Sequence, residues 1–349
     1  MSTTYRPIAW NPNKRRYDLV AVGTIAGFLM VTVAVQAALR PELTIETLLI
    51  RALGAAAFTL LNVILCIGPL ARLDRRFLPL LYNRRHLGVM MFTLALSHGV
   101  VSIIQFHAAG VLNPLVSVLV GNDRYGTIAQ LPFQPFGLAA LFILFLMAAT
   151  SHDFWLHNLT APVWKALHMC VYGAYAIIVV HVVFGVLQGE VSRLLGWILC
   201  GAVLTVFTLH LVAARHEAPH DRENRNVKKD GFIDVCAVNE IPEKRAVVTC
   251  LSGERVAVFR YDGRISAISN VCQHQNGPLG EGRIVNDCVV CPWHGYEYQP
   301  ATGASPAPFT ESVPTFDVRV MAGRVLVHPQ PHAPGTRVEP AILAEARTA

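Results

Sequence analysis

The sequence predicts an α-helical membrane bundle of six spans, with both termini inside, followed by a small all-β domain. Three observations carry this. The 349 residues are 53% hydrophobic and 15% charged, with a mean hydropathy of +0.42, too apolar for a wholly soluble chain. The hydrophobicity is uneven, filling residues 19–214 and falling away afterwards. Beyond a charged stretch, short runs of Val, Ile and aromatic residues are separated by Gly-containing turns.

Residues 1–18 are polar and carry Lys14, Arg15 and Arg16. The uncharged run Leu19–Leu39 exceeds the about 7–15 apolar residues of a secretory signal, so it reads as an uncleaved first span. Crossing a bilayer takes about 20 apolar residues in a helix. Five further runs qualify: Ala52–Ala71, Leu87–Gly110, Leu131–Thr150, Ala166–Gly189 and Leu194–Ala214. Pro132 and Pro135 blur the start of the fourth span. Residues 111–130, with Asn113, Pro114, Gly121 and Asp123, read as a loop, on the membrane surface if they touch it. No internal repeat is evident.

A net charge of +6 could point to nucleic acid, but the basic residues flank apolar runs and membrane topology explains them. With the N-terminus inside, the inner side holds ten Lys and Arg, against Arg40, Arg51, Arg124 and Arg193 outside. Six spans then return the chain to the inner side at Arg215. This predicts a multi-pass protein of the cytoplasmic (inner) membrane, lipid as its surroundings, no nucleic-acid partner, and a cytoplasmic β domain. Eight cysteines are too few for a disulfide scaffold. Cys66, Cys170 and Cys200, inside apolar runs, read as small buried hydrophobes.

Ionisable groups in lipid are costly and usually functional or paired. His98 lies in the middle of the third span; His168 and His181 lie on the fifth. The two spans run in the same direction, which puts His98 and His181 at similar depth, so one heme could bridge them. His86 and His168, at the cytoplasmic ends, could hold a second. Twelve residues from His86 to His98, and thirteen from His168 to His181, leave each pair about 120–140° apart around a straight helix. A bend, a π-bulge or hemes approached from different sides could reconcile that with two hemes. The alternative for each histidine is a hydrogen bond inside the bundle. His107 and His210, near span ends, and His152 and His157, in a loop, read as interfacial or solvated.

Residues 215–230 are polar and highly charged, a linker. Residues 231–329 hold the runs Phe232–Val238, Arg245–Cys250, Arg255–Tyr261, Phe316–Val320 and Arg324–Val327. Ser252-Gly253, Asp262-Gly263 and Ala322-Gly323 read as hairpin turns. Residues 330–349 read as a flexible tail.

The chemistry of this half lies in Cys272-Gln273-His274, sixteen residues, then Cys291-Pro292-Trp293-His294-Gly295. Two thiolates and two imidazoles suit tetrahedral zinc or a two-iron, two-sulfide cluster. Zinc fingers usually present both histidines from one helix; here each follows its own cysteine, which favours the cluster. Gly277, Gly280 and Gly295 would let backbone approach the sulfides. Cys288 reads as an ordinary strand cysteine.

The Cys-x-His…Cys-Pro-x-His-Gly wording, with Leu279-Gly280 and Thr302-Gly303, resembles the Rieske family. The resemblance implies a [2Fe-2S] cluster held by Cys272, His274, Cys291 and His294. Gly277 and Trp293 stand where respiratory Rieske domains carry a disulfide, and Tyr296 stands in the place of a serine, while Tyr298 is kept. That implies the lower-potential ferredoxin type. Arg84-Arg85-His86-Leu87-Gly88, Ser97-His98, Trp164-Lys165-Ala166-Leu167-His168, Val171-Tyr172 and Val180-His181 resemble the third and fifth spans of ferric-reductase-like membrane domains, over roughly residues 45–215. The wording is similar to heme-binding membrane subunits of periplasmic methionine-sulfoxide reductases. This implies one or two b hemes, with His98, His181, His168 and His86 as axial candidates in that order. Two-heme relatives space the third-span histidines about thirteen or fourteen apart; here they are twelve apart.

No Gly-x-Gly-x-x-Gly follows a strand, and the chain has no room for a flavin and nicotinamide domain or an oxygenase catalytic domain. The expected function is therefore electron transfer between a cytoplasmic donor, such as a flavin reductase or ferredoxin reductase, and a protein or small-molecule acceptor at the outer face. Two alternatives stand beside it. One is a self-sufficient transmembrane reductase of ferric iron, another metal, oxygen or quinone; the other is a membrane-anchored Rieske ferredoxin serving an oxygenase.

Overall fold

The computed structural model describes all residues except 1–11, 82–83, 122–130, 152–154, 156–158, 160, 186, 188–192, 220, 225, 229, 275, 294 and 344–349. The chain forms two compact units.

The apolar runs become helices α1 (Pro12–Leu39), α2 (Ile45–Leu73), α3 (Leu78–Leu81), α4 (Arg84–His107), α5 (Pro114–Val120), α6 (Gln134–Ala149), α7 (Ala161–Met169), α8 (Val171–Phe184) and α9 (Leu194–Glu217). Among the described residues, five helical stretches are long and apolar enough to cross a membrane: 15–39, 45–73, 84–107, 163–184 and 194–217. The fourth expected span, Leu131–Thr150, is the exception. Its helix α6 has 16 residues, about 24 Å of rise against a hydrocarbon core of about 30 Å. Part of the expected loop 111–130 is the helix α5, opened by Pro114 at its first turn and capped by Asn113, whose side chain accepts from Leu115 N–H.

Leu61, Leu65, Met91, Leu144, Ala174, Tyr175 and Val206 form one buried cluster, drawn from α2, α4, α6, α8 and α9. Phe58 stacks on Tyr175, whose hydroxyl donates to Asn62 Oδ1 at 2.8 Å. That bond satisfies both polar groups within the helix packing, where water cannot. Cys170 and Cys200 are exposed on this bundle and Cys66 is half-buried, so the expectation of buried small hydrophobes fails for the first two.

The C-terminal unit is all-β. Its strands are β1 (Ile233–Ala237), β2 (Arg245–Leu251), β3 (Glu254–Tyr261), β4 (Arg264–Ser269), β5 (Arg283–Val285), β6 (Cys288–Val290), β7 (Glu297–Tyr298), β8 (Thr315–Phe316), β9 (Val318–Met321), β10 (Arg324–Val327) and β11 (Ala341–Ile342). They build three antiparallel sheets: β1-β10-β9, β11-β4-β3-β2 with β8 alongside β4, and β5-β6-β7. The three expected hairpin turns form, with both central residues at positive φ: Ser252 and Gly253 at 50° and 78°, Asp262 and Gly263 at 43° and 70°, Ala322 and Gly323 at 48° and 74°. That backbone matches the strand twist and is the reason a glycine follows each turn residue. Asn286-Asp287 makes a fourth such turn, at 49° and 59°, between β5 and β6.

Two expectations are corrected here. The linker 215–230 begins as the last turn of α9, and Asn224 N–H then donates to Cys250 O while Val227 bridges Ile233. The segment 330–349 is not a free tail as far as it is described: Ala341 and Ile342 pair with Ile265 and Arg264 of β4. Apolar residues at 341 and 343 pack on the core around Ile265 and Phe316, which supplies the burial that three prolines alone would not.

Candidate functional site

Two loops of the β unit carry the Cys/His motif. The first joins β4 to β5, the second joins β6 to β7, and both close on themselves in the same way. Cys272 N–H donates to Gly277 O at 2.9 Å and Cys272 O accepts from Asn276 N–H at 2.7 Å. Cys291 N–H donates to Tyr296 O at 2.7 Å and Cys291 O accepts from Gly295 N–H at 2.9 Å. Each loop is thus a six-residue ring of main chain starting at a cysteine, with the histidine two or three residues on.

The bases of the loops are core. Cys272 is 1% exposed and Cys291 2%, in one buried cluster with Phe259, Ile268, Leu279, Val289 and Val313. His274 is 9% exposed, its ring stacked on Tyr296 at 4.8 Å. His294 lies outside the described residues. Among the described residues no three His, Cys, Asp or Glu side chains gather round a single point as one ion would require; donors shared two and two between two irons need not do so.

The glycines divide their tasks. A Cβ on Gly277 would stand 2.7 Å from Cys291 Sγ and 3.2 Å from the Trp293 ring, so only glycine lets the first loop lie against the second. At Gly280 a Cβ would clash with Val248 and stand 2.9 Å from Asn270 Oδ1, so packing against the β2 strand already requires a glycine there. Gly280 N–H also donates to that Asn270 Oδ1 at 2.6 Å. Gly295 turns the second loop at φ 71°.

Tyr298, fully buried, sets its hydroxyl 3.4 Å from Cys272 Sγ and accepts Gln273 N–H at 3.1 Å. Burial, then the neighbouring Cys272, holds its pKa well above the ordinary tyrosine value, so it keeps its proton and can donate. Tyr296 is different. Its hydroxyl donates to Glu311, and burial followed by that carboxylate pushes its pKa up as well. Only one of the two tyrosines therefore turns its hydroxyl toward a thiolate. Glu311 was not singled out in the sequence; nothing in its local pattern marks it. Cys288 opens β6 and is buried, and burial raises its thiol pKa.

In the helical unit, His98 and His181 come together with ring centres 6.2 Å apart and planes at 88°. His98 Nδ1 lies 2.8 Å from Ile50 O, and His181 Nδ1 lies 2.8 Å from Phe133 O. A carbonyl only accepts, so each Nδ1 is the donor, and in the neutral imidazole each Nε2 then keeps a lone pair. His168 follows the same rule: Nδ1–H donates to Trp164 O at 2.9 Å, and Nε2 is buried without a hydrogen-bond partner. Its ring stacks on Trp164 at 3.7 Å.

This donor set fits a heme iron. Metal–imidazole bonds run about 2.0 Å and a ring centre sits about 1.1 Å from its nitrogens, so an iron between two imidazoles holds their centres about 6 Å apart. The outward Nδ1–H bonds are the usual orienting partners of metal-bound histidine.

His86 sits differently. Its Nδ1 bonds both carboxylate oxygens of Asp18, at 2.9 and 2.8 Å, and it shares no ring contact with His168 among the described residues. Asp18, 9% exposed at the start of the first apolar run, was missed in the sequence; a lone carboxylate bordering a span was the signal available. His107 is buried and bonds Ser117 Oγ at 2.9 Å, and His210 bonds Tyr172 Oη at 2.9 Å and Val206 O at 2.9 Å. Both are thus paired within the bundle and not simply solvated. His152 and His157 lie outside the described residues.

Comparison with known proteins matches residues 231–317 to the Rieske [2Fe-2S] domain and residues 53–179 to the ferric reductase like transmembrane component. The chain is 30% identical over 97 residues to the ferredoxin component of a naphthalene 1,2-dioxygenase system of Pseudomonas aeruginosa, covering 28% of this chain and 93% of that protein. It is 32% identical over 93 residues to an anthranilate 1,2-dioxygenase ferredoxin subunit of Burkholderia cepacia, covering 26% and 86%. It is 29% identical over 101 residues to the ferredoxin component of an alkene monooxygenase system of Xanthobacter autotrophicus, covering 29% and 83%.

Proposed function

We propose that this chain, which belongs to the Rieske [2Fe-2S] family through its C-terminal domain and carries a ferric reductase like transmembrane component before it, moves electrons between a cytoplasmic donor and an acceptor at the outer face of the cytoplasmic membrane. The pairing of domains makes it a multi-pass membrane electron-transfer protein; the donor, the hemes, the acceptor and the sidedness are our reading.

In this reading Cys272, His274, Cys291 and His294 hold the cluster, and His98 and His181 hold a b heme. Bound there, the two groups would supply one-electron carriers, one in each half of the chain. The residues do the positioning. The two closed loops fix the cysteines, Tyr298 offers a proton to Cys272, and the carbonyls of Ile50 and Phe133 anchor two imidazoles whose centres stand 6.2 Å apart. His168, with its buried, unpartnered Nε2, is the next candidate ligand, and His86 the last. Six spans, with the inner side richer in Lys and Arg, put the β domain beside soluble donors such as a flavin reductase or ferredoxin reductase.

The observation that carries the reading is the His98–His181 pair, 6.2 Å apart with both Nδ1 protons committed elsewhere. Two histidines from different apolar helices brought to this spacing, each anchored through Nδ1, are what support ligation over separate hydrogen-bonding roles. The test is a pyridine hemochrome assay with iron analysis on the detergent-purified full chain. One heme and two further irons per chain support the conduit, and two hemes add His168 and His86 to it. The relatives named as oxygenase ferredoxins favour a second reading, a membrane-anchored ferredoxin serving an oxygenase. An intact cluster with no heme selects that one.

A further inference from the structure

The surroundings of His98 and His181 repeat one device twice. Ile50 and His98 are 48 residues apart in sequence, and so are Phe133 and His181. One helical turn after each acceptor carbonyl stands a glycine, Gly54 on α2 and Gly137 on α6. A Cβ on Gly54 would lie 3.0 Å from His98 Nδ1 and 3.1 Å from its Cε1. A Cβ on Gly137 would lie 2.7 Å from His181 Cε1 and 2.8 Å from its Nδ1. Each set of acceptor, glycine and histidine is the other moved along the chain by 83 residues: 50, 54 and 98 become 133, 137 and 181. The residues between are too unlike for a sequence repeat to show.

The geometry has a physical reason. A carbonyl inside a helix is already engaged by the N–H four residues on; Phe133 O accepts Gly137 N–H at 3.3 Å. Its second lone pair is reached from the side, past the Cβ of that same residue four on. With glycine there, the side is open, and the imidazole can lie flat against the helix and donate Nδ1–H to the free lone pair. With a side chain at 137 the His181 ring must withdraw, because contacts of 2.7 and 2.8 Å cannot be kept; at 54, with contacts of 3.0 and 3.1 Å, the His98 ring must give by a few tenths of an ångström.

We propose that Gly54 and Gly137 are positioning residues: each opens a helix face so that His98 or His181 donates Nδ1–H to a backbone carbonyl and presents Nε2 to one shared heme iron. This rests on the heme reading above. The carbonyl fixes the tautomer and the rotation of each ring and raises the basicity of Nε2. The clash is tighter at 137 than at 54, so the two positions differ in degree.

The test compares Gly137→Ala, Gly54→Ala and Gly173→Ala with the wild type, all as full-length purified chains. Gly173 lies on the helix of His181 with nothing within 4 Å of an added Cβ, and serves as control. Heme per chain is read by pyridine hemochrome, and axial ligation by the low-spin ferric EPR signal; the Rieske EPR signal reports an intact chain. The expectation is wild-type values for Gly173→Ala, at least a twofold loss of low-spin heme in Gly137→Ala, and a retained but shifted low-spin signal in Gly54→Ala. Should Gly137→Ala fail to yield intact chain, the signal of Gly54→Ala decides. Unchanged low-spin signals in Gly137→Ala and Gly54→Ala, with heme in the wild type, overturn the positioning role alone. Absence of heme from the wild type overturns the heme reading and this proposal with it.

Discussion

The imidazoles of His98 and His181 stand 6.2 Å apart, centre to centre, with their planes at 88°, and each gives its Nδ1 proton to a backbone carbonyl. Two histidines on different helices, 83 positions apart, thus arrive in the same tautomer with the same type of anchor. On the heme reading proposed above, either ring replaced by Ala removes one axial donor. His98→Ala and His181→Ala are each expected to lower heme per chain to less than half of wild type while leaving the Rieske EPR signal in place. His210→Ala, whose partners are Tyr172 and Val206, is expected to leave heme content unchanged. Pyridine hemochrome on the three variants checks this; full heme in both His98→Ala and His181→Ala would remove the pair from the site.

Tyr298 and Cys272 make the corresponding pair in the β domain. The hydroxyl sits 3.4 Å from Sγ and has no water to turn to, being fully buried. A donor to a cluster thiolate stabilises the reduced state, which carries the extra negative charge. Tyr298→Phe is expected to lower the cluster potential while keeping the ring in its place. Tyr296→Phe, which loses a bond to Glu311 and not to a thiolate, should move the potential less. An EPR-monitored redox titration of both variants reads this, and equal shifts would count against Tyr298 as the tuning donor.

Much of this was legible in the chain itself. The hydropathy runs placed the long helices, with ends off by up to seven residues at the starts of α1 and α2, and the Gly-containing turns placed three hairpins, because both signals are local. The strands β5 to β7 were not legible: Arg283–Val285, Cys288–Val290 and Glu297–Tyr298 are only two or three residues long, too short for any alternation to register. Asp18, Glu311, Gly54 and Gly137 were illegible for another reason. Each matters through a partner more than ten residues away, and only the fold brings the two together. The histidines themselves could be ranked in sequence by depth, yet the carbonyl anchors that fix their tautomer could not.

Asp234 gives a pH dependence with a definite sign. Arg324 donates to its Oδ1 from Nε at 2.9 Å and from Nη2 at 2.7 Å, and Lys228 lies 3.3 Å from Oδ2. These bonds, Arg324 first, hold its pKa below the ordinary carboxylate value. A depressed folded pKa means stability that is present above the unfolded value, about 3.9, and lost as pH falls through the lower folded one. Asp234→Asn should therefore lower the stability of the β domain at neutral pH, by about 1 kcal/mol or less given how exposed the two cations are. The gap to wild type should narrow below pH ~4. Thermal bleaching of the cluster absorbance across this range reads the change; a gap that widens on acidification would sink it.

The last prediction concerns which side of the membrane the β domain occupies, and it turns on α6. Five long apolar helices alone would leave the two ends of the membrane domain on opposite sides. A sixth crossing by the 16 residues of α6 returns the chain to the side where it began. Its about 24 Å falls short of the core by less than two turns, and flanking apolar residues or local thinning can cover such a mismatch at modest cost. The excess of Lys and Arg also agrees with six crossings better than five, because only then do the basic residues at the start of the first helix and from the end of the last helix onward share the inner side. Single cysteines at Leu112, before α6, and Ser151, after it, should then react with a membrane-impermeant maleimide from opposite sides, Leu112→Cys in whole cells and Ser151→Cys only after lysis. Reaction of both from the outside would mean that α6 does not cross, and would put the Rieske domain outside, out of reach of any cytoplasmic donor.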